Sequence, residues 1–324
     1  MELSRWNLLV FGKVPKKIQE KRRSLSNLVQ RDRNGSLGRE INVLQKEIND
    51  LLDSEEIIWQ QRSRVQWLGL GDRNTKYFHS KAFKRRKNNT ITRLMDENEN
   101  WCGNIESIAT VVVSYFEKLY TTSFPNRISK VTNTIPTRVT DEMNQSLIKE
   151  FIREEVVIAL QQMHPTKAPG PDGMSAIFFQ KYWDIVGNDV TCMVLNVLNS
   201  NMSVVKINRT NIALVPKTNS PTKMTEFRPI SLSNVIYKLI SKVLANCLKA
   251  ILPQIISENQ STFLLERLIT ENVLVAFELM HYLDHKRDGK DCFMAIKLYM
   301  SKAYDRVEWS FIEKIMECMG FHEK

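Results

Sequence analysis

The sequence predicts an α+β protein that is mostly helical, with a basic helical extension leading into a body where helices outnumber a few short strands. Three observations carry that reading. Apolar residues recur at helical spacing over long stretches, while compact or alternating runs of strand length are few. Turn formers gather at a handful of places and divide the chain there. The charge is lopsided: residues 1–90 hold 20 Lys+Arg and 10 Asp+Glu, and the remaining 234 residues hold 26 of each.

Leu37, Ile41, Leu44, Ile48, Leu51, Glu55 and Ile58 step by four and three, which predicts a long helix packed along a partner helix, in this chain or another. Gly69 to Asp72 interrupt the pattern, and a second basic helix is expected from Thr75 to about Lys87. Ile91, Arg93 and Met95 alternate toward a polar run and Trp101, the signature of a β-hairpin. Ile105, Ile108, Val112, Phe116 and Leu119 mark another amphipathic helix. Residues 121–140, rich in Thr, Pro, Ser and Asn, read as a linker. The expected domains are therefore 1–130, the basic helical extension, and 131–324. Helices at about 141–163 and 175–200 flank Pro165–Gly173 (PTKAPGPDG), whose two prolines and two glycines within five residues predict a rigid loop. A functional loop and a simple connector both suit it. Asn211–Val215 reads as a strand ended by Pro216 and Lys217, and the FRPISL stretch at 227–232 leads into a helix carrying Val235, Leu239 and Val243. A helix covers about 270–285, the apolar run Cys292–Leu298 reads as a buried strand, and a helix from about Arg306 to Met319 comes after it.

Composition excludes several classes. With 43% apolar and 25% charged residues, the chain is neither collagen-like, wholly disordered nor a disulfide scaffold. Its longest apolar run, Val273–Leu283, contains Glu278 and His281 and falls short of the roughly 18 residues of a membrane span, so no membrane partner is expected. The first residues lack the basic leader and long apolar stretch of a secretory signal. Five scattered cysteines, an odd number with no CxxC pair, suit a reducing compartment. The expected location is intracellular, and the KRRK run at 84–87 is too short to separate nucleus from cytoplasm. There is no Gly-rich phosphate loop and no GxSxG elbow. His281 and His285 share a helix face without a third ligand, so no metal site is expected there.

The basic stretch has a pattern. Arg62, Arg64, Arg73, Lys76, Lys84, Arg85, Arg86 and Lys87 are interleaved with Trp67 and Tyr77, and with Trp59 and Phe78. Cations hold phosphates, and aromatic faces stack on unpaired bases. Nucleic-acid binding is one reading; a solvated basic helix face, with part of the aromatics in a core, is the other. His79 suits contact with phosphate or solvent better than catalysis.

Longer motifs add to this. PTKAPGPDG, INRTNIALVPK, FRPISLSNVIYKLISKVLANCLK, ISENQSTF and KLYMSKAYDRVEW stand in that order. They resemble the reverse transcriptases of LINE-type (non-LTR) retrotransposons, particularly those of plants. EEIIWQQRSRVQWLGLGDRNTKYFHSKAFKRRK resembles the region between endonuclease and polymerase in those elements, so the resemblance covers roughly residues 37–324. It implies that the extension at 1–130 precedes the fingers and first part of the palm of a right-hand polymerase fold. It also implies RNA or an RNA/DNA hybrid as partner, with dNTP and two Mg²⁺ ions in intact relatives. Lys217 and Arg228 match positions that hold the nucleotide triphosphate, and Tyr304 matches the aromatic that abuts the sugar.

Three departures qualify the implied activity. Tyr299 stands where the family carries a metal-binding aspartate, and a neutral phenol cannot replace a carboxylate on a hard cation. Asp305 lies six residues on, a span of roughly 20 Å when extended. Leu265-Glu266 replace the family's Pro-Gly before Arg267, which predicts strain in that turn. The sequence stops before the segments carrying the family's paired aspartates. The expectation is a truncated, catalytically dead copy with no intact catalytic residue, no metal and no cofactor of its own. A non-enzymatic RNA-binding protein and a non-functional translated relic are the alternatives.

Overall fold

The seam of the long helix buries as its heptad predicts. The computed structural model describes residues 14–32, 34–65, 74–125, 128–200, 202–262, 264, 266–286, 293–298, 300 and 302–323. Helix α1 (Val14–Arg31) lies along α2 (Gly38–Ser63), and α3 (Thr75–Asn89) packs on α2 as well. All seven heptad positions of α2 and its approach are buried or half-buried, while Val43, Lys46, Glu47 and Asp50 between them face water. The partner helix is thus in this chain. Helix α1 is an element the sequence analysis missed. Its signal was Ile18, Leu25 and Leu28 on one side, with Pro15 in the first turn, where a missing N–H costs nothing. An ion pair of 2.6 Å between Lys21 and Glu47 ties the two helices at their exposed edge.

By contact the chain divides into two compact units that do not follow chain order. The first gathers the described residues of Met1–Val111, His164–Lys181 and Val205–Val235; the second gathers those of Val112–Met163, Tyr182–Val204 and Ile236–Lys324.

The first unit holds α1 to α3, two hairpins and the loop at 165–173. The expected hairpin at 91–101 forms as β1 (Leu94–Met95) and β2 (Trp101–Cys102), antiparallel. The Asp96 carboxylate closes its turn by accepting from the amides of Asn98 and Asn100 at 2.9 and 2.7 Å. The second hairpin pairs β3 (Asn211–Pro216) with β4 (Phe227–Leu232), Val215 opposite Arg228. The Met95 amide donates to the Thr222 carbonyl at 2.8 Å and joins the hairpins. Phe78, Leu94, Met224 and Phe227 are buried in this unit.

Between the hairpins in sequence run α4 (Ile105–Tyr120), α5 (Ile128–Thr132), α6 (Asp141–Leu147), α7 (Arg153–Gln161), α8 (Ala176–Lys181) and α9 (Trp183–Ser200). The helix expected over 141–163 is broken in two. Asn199 of α9 explains the break: its Oδ1 accepts from the Phe151 amide and its Nδ2 donates to the Phe151 carbonyl, both at 3.0 Å. These bonds satisfy backbone groups that a continuous helix would have paired internally. The Glu155 carboxylate then accepts from the Ile152 amide at 2.9 Å and starts α7. The helix expected over 175–200 is likewise two helices, parted at Tyr182. The expected linker at 121–140 contains α5.

The chain continues through α10 (Val235–Lys249), α11 (Leu252–Ile255), α12 (Ile269–His285), α13 (Ala303–Arg306) and α14 (Trp309–Met319). In the second unit Val139, Ile251 and Ile255 form a core with Met143, Leu147, Met319 and Phe321 packed on it. The amides of Arg138 and Val139 both donate to the Met319 carbonyl, at 3.0 and 2.9 Å. The buried strand expected at 292–298 is not found. Cys292 lies outside the described residues, and 293–298 pair with no strand and face solvent, Leu298 being 89% exposed. A strand needs a ladder partner and a covering layer, and the described residues supply neither.

Candidate functional site

The β3–β4 hairpin sets two cations side by side. Directly opposed residues of an antiparallel pair share a face, and residues two apart on one strand do as well. Val215 opposes Arg228. Lys217, whose amide continues the ladder by donating to the Glu226 carbonyl at 2.8 Å, therefore lies on the Arg228 face. Both cations are exposed, and Pro216 and Pro229 stiffen the strands that present them. The ammonium of Lys217 donates to the Thr225 carbonyl at 2.9 Å, which uses one of its three protons. Glu226 stands opposite Lys217, but its carboxylate is engaged by backbone amides. Its carboxylate accepts from the amides of Thr222 and Lys223 at 2.6 and 3.2 Å, and these bonds hold its pKa below the usual carboxylate range. Neither cation has a carboxylate partner among the described residues. The pair thus presents uncompensated charge to an anion.

The loop at 165–173 is fastened next to this hairpin. A Cβ on Gly170 would stand 2.4 Å from Oδ1 and 2.5 Å from the backbone nitrogen of Asn234, so only glycine fits there. Asn234 Oδ1 accepts from the Asp172 amide at 3.3 Å. Gly173 has φ +77°, closing a turn in which its amide donates to the Gly170 carbonyl at 3.1 Å. The guanidinium of Arg64 donates to the Thr166 carbonyl. The expected rigid loop is thus clamped from both ends of the first unit's sequence. Asn234 was missed as a clamp; its sequence signal was an asparagine immediately before a helix.

The basic extension divides its residues by role. Arg62 lies over the Trp59 ring at 5.0 Å, and Trp59 packs against His79 with tilted rings and centroids 3.5 Å apart, so His79 is engaged within the protein. Arg64 caps α2 in the left-handed region, φ +60°. Partial burial, and next the positive charge of Arg85, lower its pKa. Lys76, Lys84, Arg85, Arg86 and Lys87 are exposed along α3, and Tyr77 is half-buried with Lys81 over its ring at 5.3 Å. Phe78, interleaved with them in sequence, is core. Trp67 and Arg73 lie outside the described residues.

Tyr304 is on α13 in the second unit, 81% exposed. The segment around it is anchored to α4 and to the residues just after that helix. Lys302 donates to the Tyr115 hydroxyl, and the Glu308 carboxylate accepts from the Thr122 hydroxyl at 2.5 Å and the Ser123 amide at 2.9 Å. Tyr299 lies outside the described residues, and so does Leu265. Glu266 adopts φ +63°, the strain expected of a glutamate standing where the family has glycine. Among the described residues no group of His, Cys, Asp and Glu could hold a metal ion, and no helix is long and apolar enough to cross a membrane.

Comparison with known proteins joins these pieces. The profile of the reverse transcriptase (RNA-dependent DNA polymerase) family matches residues 215–324, which include Lys217, Arg228 and Tyr304. The transposon TX1 uncharacterized 149 kDa protein of Xenopus laevis is 26% identical over 262 residues, 80% of this chain. The chain is similar to reverse transcriptases over residues 215–324 and to a transposon protein over most of its length. It spans 20% of the length of that curated relative. The aligned stretch is more than twice as long as the family match, so the likeness of this chain to the TX1 protein reaches N-terminal of the β3–β4 hairpin.

Proposed function

We propose that this chain is a reverse transcriptase of the non-LTR retrotransposon type that binds RNA or an RNA/DNA hybrid and the triphosphate of a dNTP, but does not itself extend a primer. On this reading 131–324 are fingers and the first part of a palm, and 1–130 connect them to an endonuclease in intact relatives. The observation that carries it is the shared face of Lys217 and Arg228 inside the family match. Two uncompensated cations on a stiffened hairpin suit a triphosphate, whose charge needs fixed partners.

The donor set does not fit Mg²⁺. The position that carries the family's aspartate holds Tyr299, and Mg²⁺ takes carboxylate and water oxygens in a tight octahedron. Asp305 lies in α13, its amide donating to the Lys302 carbonyl at 3.0 Å. No catalytic step is therefore drawn through a metal in this chain.

The test uses the full chain with an RNA template, a DNA primer, dNTPs and Mg²⁺. Extension is expected to stay at the level of a heat-killed control, and product above it would refute the inactivity. Binding of a fluorescent dNTP should weaken about 10- to 100-fold in Lys217→Ala and in Arg228→Ala, as for loss of a charge-assisted bond. Unchanged binding in both would remove the nucleotide site. RNA binding without any nucleotide chemistry is the second reading, favoured by the basic face of α3.

A further inference from the structure

Helix α3 sets part of its charge beside one exposed ring. At 100° per residue, Lys76, Phe83 and Lys87 fall within about 40° of one another, with Ser80 about 20° beyond Lys87 and Lys84 at the edge. Phe78 lies about 180° from that face and is buried at 2% exposure. Phe83 is 62% exposed. Other aromatics of this unit have a cation across them: Arg62 over Trp59, Lys81 over Tyr77 and Arg93 over Trp101. Among the described residues no ring or cation covers Phe83.

The geometry points to Phe83 as a stacking platform for an unpaired base, with Lys76, Lys84 and Lys87 holding the flanking phosphates of a single strand. This rests on the reading that the basic extension binds nucleic acid, and it names the form recognised. A protein partner fits the face poorly, because lysines surround the ring and lysine is depleted at protein interfaces. A duplex offers phosphates but keeps its base faces stacked inside, so an open ring gains nothing there. An unpaired base has a free face of its own, and stacking on it needs no particular sequence. Along α3, Lys76 and Lys87 are about 16 Å apart with Phe83 about 6 Å from Lys87, so charge is available on both sides of the ring.

The experiment measures fluorescence anisotropy of the full chain with a labelled 20-nucleotide oligouridylate, and with a blunt RNA duplex of the same length, over a salt series. Phe83→Ala should weaken single-strand binding about 5- to 100-fold, as loss of one stacked base does. Duplex binding and the salt slope should not change, because no phosphate contact is lost. Phe83→Trp should bind the single strand at least as tightly as the parent. Lys84→Ala and Lys87→Ala should each lower the single-strand salt slope by about 0.7. Equal losses on both ligands, or no loss at all, would overturn the stacking role. Reversing Lys84, Arg85, Arg86 and Lys87 together separates the two readings. If affinity survives that change, the basic extension is not the binding surface. If it collapses while Phe83→Ala is silent, the extension binds phosphates and Phe83 does not stack.

Discussion

Helices α10 and α12 are 15 and 17 residues long and rich in apolar side chains, yet water treats them oppositely. Leu239 and Val243 of α10 are 0% and 1% exposed, whereas Val273, Leu274 and Phe277 of α12 are 63–65% exposed. In α10 the apolar residues step by four and three with Lys238, Ser241, Lys242 and Asn246 between them. Residues 273–277 of α12 are apolar without a break, and Leu279, Met280, Tyr282 and Leu283 continue the run. A one-sided stripe says where a helix packs, while a helix apolar all round says only that it suits an interior. Helix formation is settled locally in both; burial is settled by neighbours, and the described residues give them only to α10. The same contrast separates β3 and β4, which have each other, from 293–298, which have no ladder partner among the described residues.

The sharpest way to break this comparison is to shorten one leucine in each helix. Leu239→Ala should cost about 3 kcal/mol, through lost transfer energy and the cavity left behind. Leu274→Ala should change stability by less than about 0.5 kcal/mol, as at other exposed positions. Midpoints of urea unfolding, measured by circular dichroism, report both. Equal losses would mean that α12 is covered in solution and the contrast is wrong.

A smaller effect lies before α12. Glu266 is held at φ +63°, while Arg267 donates to the carbonyls of Pro253, Ser257 and Gln260 and pins the chain beside it. A side chain in the left-handed region costs roughly 1–2 kcal/mol, and glycine returns part of that gain as unfolded-state entropy. Glu266→Gly should therefore stabilise by about 0.5–1 kcal/mol, read as a rise in the thermal midpoint. A drop would show that the turn relies on the glutamate side chain.

These outcomes bear on how far the sequence could be read. The α2 seam, the helix at 75–89, the first hairpin, the β3 strand and the rigid loop were legible, because each rests on neighbours in sequence or on turn chemistry. Lys217 and Arg228 were legible as residues, but their common face comes from the register of β3 against β4, which no local pattern specifies. The break at Phe151 was invisible because its cause, Asn199, lies 48 residues away. Phe78 and Phe83 stand in the same basic run, and composition could not tell that one is core and the other exposed. Only the angle each takes on a packed helix decides that.

The smallest effect is electrostatic and compares how the two units close their turns. Asp96 and Glu226 in the first unit and Glu308 in the second are half-buried residues whose carboxylates accept hydrogen bonds that lower their pKa. The largest causes are the Asn100 amide for Asp96, the Thr222 amide for Glu226 and the Thr122 hydroxyl for Glu308. A pKa lowered on folding means that the ionised form is favoured in the native state. The stabilisation is then fully present above the unfolded value, about 4, and is lost as pH falls through the lower folded value. Between about pH 6 and 3 the thermal midpoint should fall, and Glu308→Gln should fall less steeply than the parent. The amide oxygen can keep the bonds from Ser123 without titrating, while its NH2 group donates to the Thr122 hydroxyl oxygen. Because Glu308 joins the α13–α14 connection to the residues after α4, the amide signal of Ser123 should report the change directly. A Ser123 signal that titrates identically in parent and Glu308→Gln would show that another group controls this contact.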